Sequence, residues 1–138
     1  MIVSDVSVVL KWILFDEPDR EEALVLRQQH LSGKDPIAAP DLLLYEAANV
    51  LRFKWEEMGP AAERFRELCA AELYLHSFEL PEFAQAMGLA HRYKISVYDA
   101  CYVALAQALR CRFVTADERL LVRLKGVPHV LHLREATR

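Results

Sequence analysis

The chain has 138 residues, 54% of them hydrophobic and 27% charged, with a formal net charge of −3 at pH 7. That length and apolar share suit a single domain over residues 1–138 with a substantial core, and no apolar run is long enough to cross a bilayer. The acidic balance argues against a protein held on nucleic acid chiefly by a broad basic surface, while leaving open a nuclease whose acidic site is neutralised by metal.

The opening "MIVSDVSVVLKWILFDEP" starts apolar, without the basic segment and small-residue cleavage site of a signal peptide, so a cytoplasmic location is expected. Within it, "MIVSD" predicts a short buried strand and "SVVLKWILF" a helix following Ser7. "EPDREEALVLRQQHL" predicts an amphipathic helix, its first turn crowded with acids as the helix dipole favours. "GKDPIAAP" supplies a turn and a small strand. "DLLLYEAANVLRFKWEEMG" then predicts a strong helix, opened by Pro40-Asp41 and closed by Gly59.

"PAAERFRELCAAE" begins a helix on a proline suited to the first turn, and "LYLHSFEL" reads as a strand. "PEFAQAMGLAHRYK" is a further helix, followed by one containing "SVYDACYVALA". Ser96, with Asp99 three residues on, resembles a helix-start box there. "CRFVTAD" predicts a strand entering a turn, "ERLLVRLKG" a short helix ending at Gly126, and "HVLHL" a final strand. Short apolar strands alternating with helices predict an α/β domain, an α/β/α sandwich whose mostly parallel central sheet has about five strands. In such sheets ligands collect outside the carboxyl ends of the strands, at a topological switch point.

Cys69, Cys101 and Cys111 form an odd set without CxxC spacing, so buried thiols are expected rather than a zinc site or disulfides. His129 and His132 fall on opposite faces of the last strand and are weak ligand candidates. The acids are more informative. Asp5 follows "MIVS" and Asp117 follows "RFVTA", both directly after apolar strands. Glu46 shares a helix face with Leu43, Ala47 and Val50, where a carboxylate needs a partner. Taken singly each has an ordinary explanation: Asp5 ends a strand, Asp117 caps "ERLLVRLK", Glu46 pairs with a base, and Asp99 helps a helix begin.

Taken together, "MIVSDVSVVLKWI", "PDLLLYEAANVLR", "ISVYDACYVALAQ" and "FVTADERLL", in this order and spacing, resemble the PIN-domain ribonucleases. The likeness is to the VapC-type toxins of toxin–antitoxin pairs and runs over nearly the whole chain. It implies that Asp5, Glu46, Asp99 and Asp117 hold divalent metal and carry catalysis. It further implies that Ser7 and Thr115 are the small hydroxyl groups beside the acids and that Asn49 is the polar residue one turn after the glutamate. The implied reaction is hydrolysis of RNA to a 5′-phosphate and a 3′-hydroxyl. The implied partners are a second copy of the chain and an antitoxin, with the helices of residues 19–55, Trp55 included, as docking surface. Position 6 is Val where many relatives carry threonine, which removes one polar neighbour of the acids.

Elementary electrostatics supports the cluster independently. Two charges about 5 Å apart repel by roughly 3 kcal/mol at an effective dielectric of 20, so gathered acids call for a cation or for protons. Oxygen-only ligands suit Mg²⁺ or Mn²⁺. Lys11, Arg52, Lys54, Arg110, Arg112 and Arg119 are candidate RNA contacts, but solvated surface charge is their simpler reading. Two other functions compete. A phosphatase of the haloacid-dehalogenase type needs a second Asp two residues after the first, where this chain has Ser7, and a phosphoreceiver needs an acidic pair that "IVSDVS" lacks. A non-catalytic module on the same fold is the remaining alternative.

Overall fold

The computed structural model describes residues 1–138. Its sheet has five strands, β1 (Ile2–Ser4), β2 (Ile37–Pro40), β3 (Tyr74–His76), β4 (Arg112–Thr115) and β5 (Val130–His132), in the order β3-β2-β1-β4-β5. Every neighbouring pair is parallel. Parallel strands need crossovers, and helices α1 (Val6–Val9), α2 (Arg20–Leu31), α3 (Leu42–Lys54), α4 (Met58–Cys69), α5 (Leu80–Tyr93), α6 (Val97–Leu109), α7 (Glu118–Arg123) and α8 (Leu133–Ala136) supply the helical layers. The predicted α/β class and parallel sheet are both realised. No helix is long and apolar enough to cross a membrane.

The burial of the strands explains their composition. All three residues of β1 and all four of β2 are buried, so their apolar runs do not alternate with polar residues. The outer strand β3 is exposed throughout, which matches its mixed "YLH" sequence. Helix α6 is the main internal helix, with every residue from Ala100 to Ala106 buried as it packs across β1, β2 and β4. A helix enclosed on all sides must be apolar all round, and this accounts for the long apolar run after Asp99.

Strand order reverses direction around β1: the chain moves outward through β2 and β3, then returns to place β4 on the other side. The carboxyl ends of β1 and β4 therefore flank the switch point, and Asp5 and Asp117 lie immediately beyond them.

Several boundaries differ from the sequence-based expectation for identifiable reasons. The first helix begins at Val6, capped by Asp5, so Ser7 lies inside it, and a 3₁₀ turn over Leu10–Trp12 completes it. The helix expected to run to Gly59 stops at Lys54, where Trp55 turns to an extended conformation and packs against the core. Gly59 and Pro60 instead occupy the first turn of α4, where proline's missing N–H costs nothing. Helix α8 was not expected. His132 and Glu135 form a capping box for it, and Arg134 pairs with Asp19 at 2.8 Å across the start of α2.

Burial corrects two further expectations. Cys69 is exposed, whereas Cys101 is buried and Cys111 intermediate. Lys11 is not a solvated charge: it is buried, with its ammonium 3.7 Å from Glu17. Trp12 belongs to the core, donating its indole N–H to the Ala23 carbonyl at 2.8 Å. His129 precedes β5 in a left-handed conformation, and the His132 ring serves α8, accepting from the Arg134 N–H.

His30 is the buried polar tie of this layer. Its Nδ1 accepts from the Ile37 N–H at 3.0 Å and its Nε2 donates to the Ala71 carbonyl at 2.7 Å, joining α2 to β2 and to the end of α4. Replacing it by leucine would leave two backbone groups without partners, at about 1–3 kcal/mol each. His30→Leu should therefore lower the denaturation midpoint clearly in urea titrations, at an unchanged m-value.

Candidate active site

The four predicted acids arrive at the switch point from four different elements. Asp5 caps α1 after β1, Asp117 caps α7 after β4, Glu46 comes from the first turns of α3, and Asp99 from the first turn of α6. The local sequence explains each placement. Ser96 begins α6 by accepting the Asp99 N–H at 3.0 Å, which leaves the Asp99 side chain at the helix start. Asp117 accepts from the N–H groups of Arg119 and Leu120 at 3.0 and 3.1 Å, a true N-cap.

Asp5 is the buried member, 5% exposed. Its Oδ1 accepts from the Ser7 N–H at 3.1 Å and the Ser7 hydroxyl at 2.5 Å, and its Oδ2 from the Thr115 hydroxyl at 2.5 Å. The same two hydroxyls reach back to the β4–α7 turn. Ser7 Oγ accepts from the Ala116 N–H at 2.8 Å, Thr115 Oγ1 from the Asp117 N–H at 3.0 Å, and the two oxygens lie 3.3 Å apart. Ser7 and Thr115 are thus where the sequence placed them, beside the acids. Asn49 is not part of the network; it lies exposed on α3 and makes no side-chain hydrogen bond to the acids.

Glu46 is half-buried, and its partner is no basic residue. The Tyr102 hydroxyl donates to Glu46 Oε1 at 2.6 Å, linking α3 to α6. Sequence reading missed Tyr102. The available signal was a phenol one helical turn after Asp99 in an otherwise apolar helix, because a buried tyrosine hydroxyl needs a partner.

The electrostatics records the crowding. Burial pushes the Asp5 carboxyl up to about 7; the Ser7 and Thr115 hydroxyls pull it down, and Asp99 and Glu46 push it further up. Glu46 is raised by burial and by Asp99, against the lowering effect of the Tyr102 hydroxyl. Asp99 is raised by burial, eased by Ser96, and raised again by Asp117. Tyr102 is held firmly protonated by burial and by Glu46 beside it. All four acids are therefore linked, Asp5 to Glu46 and Asp99, and Asp99 to Asp117.

The donor set fits a hard divalent cation. It consists of carboxylates flanked by hydroxyls, with no thiolate or imidazole, and each carboxylate keeps at least one oxygen, Asp5 Oδ2 and Asp117 Oδ2 among them, with a lone pair beyond the hydrogen bonds described. Burial leaves Asp5 without any basic partner, the condition that a cation relieves. The side chains do not, however, close into a ready-made cage of three or more ligands. The chemistry open to such a site is polarisation of a phosphodiester and of water.

Comparison with known proteins follows the same line. A search of curated proteins finds no match. Among solved structures, a protein of Pyrobaculum aerophilum superposes with a TM-score of 0.71 at 17% identity, covering 99% of this chain and 85% of that one. A toxin–antitoxin complex from Klebsiella pneumoniae gives 0.70 at 19% identity, over 96% and 98% of the two chains. The sarcin–ricin-loop-cleaving toxin VapC20 of Mycobacterium tuberculosis gives 0.67 at 14% identity, over 88% and 94%. At these identities the likeness establishes the fold. Residues 2–126 match the PIN domain family model, and the chain belongs to that family.

Proposed function

We propose that this chain, one domain over residues 1–138, is a divalent-metal-dependent endoribonuclease, the toxin of a VapBC-type toxin–antitoxin pair. The observation that carries the reading is the convergence of Asp5, Glu46, Asp99 and Asp117, one of them buried without a basic partner, at the switch point of a PIN sheet. The PIN neighbours include toxin–antitoxin complexes, among them VapBC assemblies of Rickettsia felis and Salmonella typhimurium bound to DNA. The proposal therefore includes an antitoxin partner, with homodimerisation and a cytoplasmic location as further parts of it.

Asp5, Glu46, Asp99 and Asp117 would hold Mg²⁺ or Mn²⁺, and the bound ion would supply Lewis-acid activation of water and neutralise charge on the phosphodiester. The chain's own contribution is to aim oxygens and manage protons. Ser7 and Thr115 grip both oxygens of Asp5 and fix its plane against β4. Tyr102, protonated across the working pH range, holds Glu46 Oε1 and leaves Oε2 directed by the same rotamer. The capping bonds of Asp117 and the Ser96 cap tie the remaining two acids to helix starts, which are rigid mounts for ligands. Asp5 must give up its proton before it ligates, so proton and metal compete for the site and metal binding strengthens as pH rises.

Three measurements test this. Purified protein should cleave RNA only with Mg²⁺ or Mn²⁺, and Asp99→Asn should abolish cleavage while leaving the metal-free protein as stable or more so, through relief of repulsion. An Asp99→Asn variant that is active yet destabilised by up to about 1 kcal/mol would instead make Asp99 a helix-start acid only.

The second concerns pH. The folded Asp5 carboxyl titrates at about 7, above its unfolded value of 3.8, so the native state binds the extra proton between these limits. This contribution to metal-free stability is complete below pH 3.8 and lost as pH rises through about 7. Glu46 and Asp99 act with the same sign. Metal binds the ionised form, so the Mg²⁺-induced rise in Tm should be larger at pH 8 than at pH 6. A rise independent of pH, or none at saturating metal, would contradict the site. Third, Tyr102→Phe removes the bond that favours ionised Glu46, so the cleavage–pH profile should move to higher pH with the fold retained.

A further inference from the structure

A second charged feature adjoins the acids. Arg92, Tyr93, Lys94, Arg119, Val122 and Arg123 line an open depression between the end of α5 and the face of α7. Four of these six residues are cations, and none is an acid. All four cations are exposed, and none takes part in an ion pair. Elsewhere Lys11, Arg64, Arg112 and Arg134 each lie against a carboxylate, whereas no acid lines this depression. An unneutralised group of four on a chain of net charge −3 concentrates positive potential in one place.

The walls of the depression are α7, which Asp117 starts, and the end of α5, which leads into the helix carrying Asp99. Arg119 follows Asp117 by two residues, and its N–H donates to the Asp117 carboxylate. Lys94 ends α5 in a left-handed conformation and lies two residues before Ser96, the cap that places Asp99. The depression therefore borders the Asp99–Asp117 side of the site. Arg92 packs its guanidinium 5.3 Å from the Tyr93 ring, which limits its freedom before any ligand arrives.

Resting on the ribonuclease reading above, we infer that this depression is the substrate's backbone subsite: Arg92, Lys94, Arg119 and Arg123 receive the phosphates of the RNA strand flanking the scissile bond. The acids repel a polyanion until metal is bound, and a separate cationic surface beside them supplies the attraction that the metal site does not. It explains how a chain of net negative charge would engage RNA without a broad basic face. Contacts of this kind position a strand and carry no sequence information, so they leave target choice to other surfaces.

The test uses the full chain with Arg92→Gln, Lys94→Gln and Arg123→Gln combined, sparing Arg119 beside Asp117. A control of equal charge change is Lys34→Gln, Arg110→Gln and Lys125→Gln, exposed residues outside the depression. Binding of a fluorescein-labelled single-stranded RNA is followed by anisotropy in an Asp99→Asn background, and cleavage in the active protein. The depression variant should bind about tenfold more weakly, with the slope of log K against log salt shallower by about 0.7 per lost contact. Its KM should rise at unchanged kcat, and the control should match wild type. An unchanged Kd, slope and KM in a variant whose parent cleaves RNA would overturn the subsite alone, as would equal weakening in the control. A wild-type chain that neither binds nor cleaves RNA would remove the ribonuclease reading and the subsite together.

Discussion

The structure turns on one buried carboxyl group. Asp5 sits where β1 ends, between hydroxyls from α1 and β4, and its position ties the central strand pair to the turn that carries Asp117. A carboxyl at this depth needs donors, a proton or a cation, because an unpaired buried charge is among the most costly features a fold can carry. Ser7 and Thr115 supply donors from two sides, yet the group still holds its proton up to about pH 7. The same arrangement that closes the seam between β1 and β4 therefore keeps a latent anion at the switch point. Stability of the metal-free fold and readiness for a cation pull that group in opposite directions.

The other acids show how helix starts and clustered carboxylates share side chains. Asp117 uses one oxygen to start α7, while Asp99 stands in the turn that Ser96 starts for α6. A helix N-terminus favours negative charge, so these sites hold carboxylates with less penalty than the core would impose. Glu46 has no such help. It lies in α3, half-buried, and depends on the Tyr102 hydroxyl from α6. Aromatic packing of Tyr102 on Phe113, ring centres 6.1 Å apart, carries that dependence back to β4. The cluster is thus braced from the same strand at two depths, through Thr115 at the site and Phe113 beneath it.

What the sequence discloses follows from how local each cause is. Asp5 and Asp117 were legible because strand ends and caps are written in adjacent residues, and the enclosed helix α6 because a fully buried segment must be apolar all round. Glu46 was legible as an anomaly, an acid among core residues. Its partner was not, since Tyr102 is 56 positions away and a phenol in an apolar helix does not say which oxygen it meets. Other misses have the same origin. Gly59 looked like a helix stop, yet the stop is Trp55, set by tertiary packing. Lys11 looked like surface charge because burial of its stem beside Glu17 leaves no local trace.

Net charge was the least informative quantity, and the structure shows why. A total of −3 averages an acidic switch point with the uncompensated cations of the α5–α7 depression. Fields near a protein surface are screened over about 8 Å at physiological ionic strength, so a ligand at either place responds to its neighbourhood and not to the sum. Separation of the two signs also divides the work. The acids can accept a divalent cation only where cationic side chains do not already neutralise them, and the cations can attract a polyanion only where acids do not pair with them. Helices α6 and α7 enforce that division. They present Asp99 and Asp117 at their starts, while the cations occupy the segment before one helix and the body of the other. Had Arg119 and Lys94 paired with those acids, the fold would gain two ordinary ion pairs and lose the charge asymmetry on which the proposed reaction rests.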